Sequence, residues 1–179
     1  DLTTDPPPRL PIAAIVAVPR PQTVKKVIHT ATTIGIRELH FIRTENVEKS
    51  YLSSKSLEKV EIDDEILLGL EQGCDTIAPS IYTHTRFKPF AQDTLPELLK
   101  SNWLQGASRL LAHTTSGRSS QPKGTLPAIF AVGPESGWNE FEVETFQNLG
   151  FSPTTLGPRI LRVEVAFTAL LGSFLGDKP

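Results

Sequence analysis

Methionine is absent from these 179 residues and cysteine occurs once. No apolar run approaches the ~20 residues needed to cross a bilayer, so no membrane partner is expected. The single thiol, Cys74, excludes an intrachain disulfide and any metal site built from clustered cysteines. No basic, apolar, small-residue leader signals secretion, and the expected compartment is the cytoplasm. His29, His40, His84 and His113 are scattered without ligand spacing, so no metal is expected either. An excess of positive charge is also missing. At net charge −2 and pI ≈ 6.1, any affinity for nucleic acid must be local or supplied by another module. Zero methionines in a chain with several long apolar stretches, together with Asp1 at its start, make the sequence read as part of a longer protein.

What is present belongs to a folded domain. Hydrophobic residues at 39% and charged residues at 21% with little net charge argue against disorder. Residues 1–10, with Asp5-Pro6-Pro7-Pro8, read as a linker or tail, and residues 11–179 as one domain. Ile12 to Val18 is a continuous apolar run, as expected of a strand buried on both faces of a parallel sheet. Val24 to Ile34 has helical spacing and ends at Gly35. Leu39 to Ile42 is a second strand. A helix capped by Ser56 is expected to run to Leu70, its stripe formed by Leu57, Val60, Leu67 and Leu70, with Gly73 ending it. Ile77 to Tyr82 is a third strand interrupted by Pro79, and Thr94 to Trp103 a helix with Pro96 in its first turn. Arg109 to His113 and Ala128 to Val132 are strands four and five, joined by a polar loop over Thr114 to Gly124. Asn139 and Glu142 form a capping-box start for a helix that stops at Gly150. Phe151 to Leu156 is a sixth strand. Val163 to Leu175 is a helix apolar almost all round, for which another subunit is the expected cover. The alternation gives an α/β domain with a mostly parallel sheet flanked by helices.

Open parallel sheets bind ligands beyond the carboxyl ends of their strands. Three loops there are unusual: His113-Thr114-Thr115, Gly133-Pro134-Glu135-Ser136-Gly137-Trp138, and Leu156-Gly157-Pro158-Arg159-Ile160-Leu161-Arg162-Val163-Glu164. Two glycines and a proline between Gly133 and Gly137 make a rigid turn whose backbone N–H groups can face a ligand, or a plain structural turn. It is neither a phosphate loop nor a dinucleotide fingerprint, because the required spacings fail. Glu164 suits the positive end of a helix dipole, and Arg159 and Arg162 read as surface charges or as partners of Glu135 and Glu164.

Ala131 to Trp138 followed by Leu156 to Ala166 resembles the RsmE family, ribosomal RNA methyltransferases of the SPOUT superfamily that methylate N3 of a uridine in small-subunit rRNA. The likeness extends more loosely from Pro11 to the C-terminus. It implies a C-terminal trefoil knot, which pattern reasoning alone would reject. It also implies bent S-adenosyl-L-methionine held by the knotted loops, a homodimer with the active site at its interface, and ribosomal RNA or the small ribosomal subunit as partner. Carried over by position, the cofactor would lie on Leu111, Ala112 and His113. A second wall would be Val132, Gly133, Glu135 and Gly137, and an adenine clamp Leu156, Gly157, Ile160, Leu161, Arg162 and Ala166. Arg162, Glu164 and Arg159 would serve catalysis. An arginine would stabilise charge on a uracil carbonyl oxygen, and Glu164 would orient it or take the proton. His113 reads either as a base or as a structural residue.

The chain departs from the family pattern in four places. Nothing here corresponds to the family's N-terminal β-barrel RNA-binding domain, which is expected outside this chain. Thr30 to Gly35 replaces Lys-x-Thr-Glu-Leu-Gly, so threonines stand for a lysine and a glutamate. Gly73-Cys74-Asp75 stands where the family has serine or glycine and then arginine. Ser136 replaces a glycine and requires a negative φ. Two alternative readings follow: the same fold acting on another RNA or a small molecule, and a catalytically weak domain that binds cofactor or a partner.

Overall fold

The computed structural model describes residues 5–113 and 124–175. The expected loop from Thr114 falls outside these residues as far as position 123. Six parallel strands form one sheet in the order β3-β2-β1-β5-β4-β6. β1 (Leu10–Ala17) is central, and from Ile12 to Ala17 it is fully buried, as a run apolar on both faces requires. It begins at Leu10, a position expected in the tail, because the Leu10 N–H donates to Gly35 O at 2.9 Å and draws the chain into the sheet. Residues 5–9 have no regular structure.

α1 (Pro21–Ile34) starts three residues before the expected Val24. Proline fits the first helical position, where its missing donor is no loss. Gly35 closes the helix in the left-handed conformation at φ 79°, donating to Ala31 O and Thr32 O. β2 (Ile36–Ile42) follows at once. After a short turn of helix, α2 (Lys49–Leu52), comes α3 (Lys59–Gly73).

α3 corrects two expectations. Ser56 lies in a 3-10 turn rather than at the cap, and Cys74, not Gly73, takes the left-handed C-cap at φ 51°. The expected stripe is not the packing face either, since Val60 is 69% exposed and Leu67 56%. α3 approaches α1 through Gly69 and Gly73, one helical turn apart. A Cβ at Gly69 would stand 2.6 Å from Thr32 Cβ, and one at Gly73 would stand 2.9 Å from Thr33 O. Backbones this close leave no room for leucines between them, so hydrophobic periodicity points to the wrong face. Thr32 is buried there and the Thr33 hydroxyl donates to Gly69 O, so part of the unusual Thr30–Gly35 segment serves this contact.

β3 (Ser80–His84) begins just past Pro79, whose lack of a donor keeps it out of the ladder. A helical segment then starts at α4 (Phe87–Pro89), passes through a π-turn at Phe90–Thr94 and ends with α5 (Leu95–Leu99). It begins earlier than the expected Thr94 and stops before Trp103. Its anchors are the buried Phe87, Phe90, Ala91 and Leu95. β4 (Ser108–Ala112) and β5 (Ala128–Val132) lie side by side. α6 (Glu140–Asn148) carries the expected capping box, with the Asn139 side chain accepting from the Glu142 N–H and the Glu142 side chain accepting from the Asn139 N–H. β6 (Ser152–Thr154) is a three-residue edge strand with Pro153 at its middle.

α7 (Val163–Phe174) lays Phe167 and Phe174 against Phe130 of β5 and buries Val163, Ala166, Leu170 and Leu171 as well. Its opposite face, Val165, Thr168, Ala169 and Gly172, is exposed. No described helix is long and apolar enough to cross a membrane.

Candidate functional site

The carboxyl ends of β4, β5 and β6 surround a cleft of about 200 Å3. From β5 the chain turns through Gly133 to Gly137, closed by the Gly137 N–H donating to Pro134 O at 2.8 Å. Gly137 has φ 79° with open space where a Cβ would stand. Ser136 is absent from the positive-φ residues, so its side chain causes no backbone strain. The chain then brings Trp138 back beneath the turn. A Cβ at Gly133 would lie 3.1 Å from its indole nitrogen, so a larger residue would have to push the indole aside. Trp138 Nε1–H donates to Ala112 O at 3.2 Å, and its ring meets Phe146 edge-on at 5.0 Å. The indole thereby fixes the β5 loop to the end of β4. From β6 the chain passes Thr155 and turns at Gly157, whose φ of 109° is glycine territory and which also faces open space.

Most of the residues singled out from the sequence line this one cleft: Ala112, His113, Val132, Gly133, Glu135, Gly137, Leu156, Gly157, Arg159, Ile160, Leu161 and Ala166. Three do not. Leu111 is fully buried within the sheet, in register with Ala131 and Pro153. Arg162 occupies the N-cap position of α7 and is exposed. Glu164 turns toward α1 and pairs with Lys26 at 3.6 Å. Glu135 in turn pairs with Arg20, whose backbone N–H donates to it at 3.3 Å. The acids therefore take partners from α1 and its N-cap rather than from Arg159 or Arg162, neither of which pairs with a carboxylate among the described residues.

Sequence reasoning missed Thr154 and Thr155 on the cleft wall. The Thr155 hydroxyl is buried with no hydrogen-bond partner. An orphaned buried hydroxyl costs free energy unless a ligand meets it, and nothing in the local sequence marks that position. Apart from His113, Glu135, Ser136 and Arg159, the remaining lining is apolar or aromatic side chain and loop backbone. Such a surface suits a ligand with one polar and one apolar portion, recognised largely by main-chain groups.

Two of the scattered histidines also meet, away from this cleft. His40 Nδ1 lies 3.1 Å from His84 Nε2, and His40 Nε2 lies 3.2 Å from Glu38 Oε2. Burial, and then the neighbouring charge of His40, push the His84 pKa down to about 4. No cluster of three potential metal ligands occurs among the described residues.

Comparison with known proteins covers almost the whole chain. A family profile described as an RNA methyltransferase domain matches residues 6–175. Ribosomal RNA small subunit methyltransferase E of Treponema pallidum is 28% identical over 167 residues, 93% of this chain and 62% of that protein. Ribosomal RNA small subunit methyltransferase E 1 of Borreliella burgdorferi is 28% identical over 155 residues, 87% of this chain and 63% of that protein. The chain thus spans about three-fifths of the length of these curated relatives. The crystal structure of a ribosomal RNA small subunit methyltransferase E from Neisseria gonorrhoeae, bound to S-adenosyl methionine, superposes with a TM-score of 0.71 at 19% identity. That match covers 97% of this chain and 68% of the other, and it establishes a shared fold.

Proposed function

The chain belongs to the RNA methyltransferase domain family, and on that premise we propose that it carries methyl groups from S-adenosylmethionine to N3 of a uridine in small-subunit ribosomal RNA. The observation that carries this reading is the glycine-built cleft at the ends of β4, β5 and β6, formed by the two motifs that resemble the RsmE family. The trefoil threading and the homodimer implied by that resemblance belong to the same proposal. The exposed face of α7 and the neighbouring Ile160, 88% exposed, support a second subunit packing there.

The cleft fits the cofactor on its own geometry. Thr155 offers an unsatisfied hydroxyl, Gly137 and Gly157 leave their backbone uncovered, and Leu156, Leu161 and Ala166 supply apolar wall for a purine ring. When bound, the sulfonium supplies an electrophilic methyl group, so positioning carries much of the barrier reduction. The uridine N3–H must lose its proton to become nucleophilic. Arg159, on the cleft wall and free of a carboxylate partner among the described residues, stabilises charge on a uracil carbonyl oxygen. Arg162 flanks it from the α7 N-cap. His113 lines the same wall and stands as the proton acceptor. Glu164, held by Lys26, keeps the start of α7 in place against α1.

The test is transfer of labelled methyl from S-adenosylmethionine to unmodified small-subunit RNA, bare or in assembled subunits, with N3-methyluridine mapped by mass. Label on rRNA at that atom is the expected result. Heat stabilisation by the cofactor without any labelled RNA would overturn the acceptor, and its absence would overturn the cofactor. Arg159→Ala and Arg162→Ala are each expected to slow transfer about 100-fold. Full activity in either variant removes that residue from the assignment.

A further inference from the structure

A second cleft, of about 490 Å3, opens at the carboxyl ends of β2 and β3. Three segments build it: the residues after β2, the residues after β3, and the start of α6. Arg43, Arg86 and Lys88 line it, and none of them pairs with a carboxylate among the described residues. Its two acids are already engaged. Buried Glu142 accepts from the backbone N–H groups of Glu45 and Asn139, both at 3.1 Å, and Glu45 accepts from Asn139 Nδ2 at 2.8 Å. The Thr44 hydroxyl, on a side chain only 3% exposed, lines the cleft with no partner. Phe141 stands half-exposed, its ring centroid 5.4 Å from the Lys88 ammonium.

Cations without carboxylate partners beside a half-exposed aromatic ring are the elements of single-stranded nucleic-acid binding, where cations follow phosphates and bases stack on rings. The orphaned hydroxyl adds a donor where a phosphate or ribose oxygen would sit. The two clefts are linked through one loop. The loop from Gly133 lines the first and leads into Asn139 of the second, and Asn46 Nδ2 donates to Gly137 O at 3.3 Å across their junction. We propose that this second cleft holds a nucleotide of the RNA substrate close to the one that is methylated, with its phosphate on Arg43, Arg86 and Lys88 and its base on Phe141. The inference rests on the reading of the chain as an RNA methyltransferase.

The test uses the full chain, small-subunit rRNA transcribed in vitro for methyl transfer, and a fluorescent oligouridylate for binding across a salt series. In Arg86→Gln/Lys88→Gln the slope of log Kd against log salt is expected to fall by about 1.4, or ~0.7 for each lost single-strand phosphate contact. The KM for rRNA rises accordingly, while heat stabilisation by S-adenosylmethionine keeps its wild-type size. Phe141→Ala is expected to weaken oligouridylate binding about tenfold, and Phe141→Tyr to restore it, as stacking predicts. If the wild-type protein methylates rRNA and the double variant keeps both slope and KM, the second cleft is not an RNA site and the methyltransferase reading stands. If the wild-type protein transfers no methyl group to RNA, that reading falls first and this inference falls with it.

Discussion

Two clefts open on the same edge of one parallel sheet, and they are made of different material. The first is built largely from backbone: consecutive loop residues, two glycines with positive φ facing open space, and an indole that locks the β5 loop to β4. The second is built from side chains delivered by three distant segments, with three cations and a half-exposed ring. Each contains one buried threonine hydroxyl without a partner, Thr155 in the first and Thr44 in the second. The difference teaches how ligand type is written into structure. Main-chain recognition demands fixed φ values and close approaches, so it tolerates little change. Recognition by long cationic side chains demands only local charge and reach, so it tolerates much.

Substitutions on either side should therefore separate by size. Trp138→Ala removes a buried ring from the wall of the first cleft and is expected to cost about 3–5 kcal/mol in urea unfolding, with loss of cofactor-induced heat stabilisation. Gly157→Val forces a branched residue into φ 109° and is expected to cost about 1–3 kcal/mol. Cofactor binding measured by calorimetry should be lost with it. Asn139→Ala, at the junction of the two clefts, removes the cap of α6 and is expected to cost about 1 kcal/mol, read as a lower thermal midpoint.

The second cleft is also set apart by pH, because His84 ends the strand that leads into it. Folded His84 titrates at about 4, whereas the unfolded chain takes up its proton near 6.5. The unfolded state thus binds more protons between these values, and stability, full above about pH 6.5, falls as the pH drops toward 4. Urea midpoints at pH 7.5 and 5.0 check this, and His84→Phe should flatten the difference. Phe141→Ala is expected to change stability least, by under about 0.5 kcal/mol, despite its effect on RNA. A large loss of stability there would erase the contrast between the clefts.

The same contrast explains what the sequence disclosed. The central strand from Ile12 was readable because burial on both faces leaves an unbroken apolar run. The capping box of α6 was readable because its chemistry is local. Most of the first cleft was readable through the resemblance of two contiguous motifs to the RsmE family, whose residues the fold brings to one place. Leu111 and Glu164 were misplaced in it because a linear motif does not say which face of a strand or helix each residue takes. The α3 stripe failed for a related reason: glycine ridges at Gly69 and Gly73 bring two backbones together without large apolar residues. The second cleft left no trace, since Arg43, Arg86 and Phe141 are joined only by the fold. So are His40 and His84, which stand on neighbouring strands.

Pro153 bears on how the sheet ends. The Thr154 carbonyl accepts from the His113 N–H, so Thr154 directs its backbone toward β4, and so does Ser152 two residues earlier. Pro153 therefore faces the open edge, and it is the one residue type with no N–H to offer there. An exposed parallel edge is a template onto which a stray strand from another molecule could add. Here its central donor is missing and only three residues are available. Growth of the sheet from this side is disfavoured, so a second copy packing beside the first cleft, as proposed above, would meet it through helix faces rather than by strand addition.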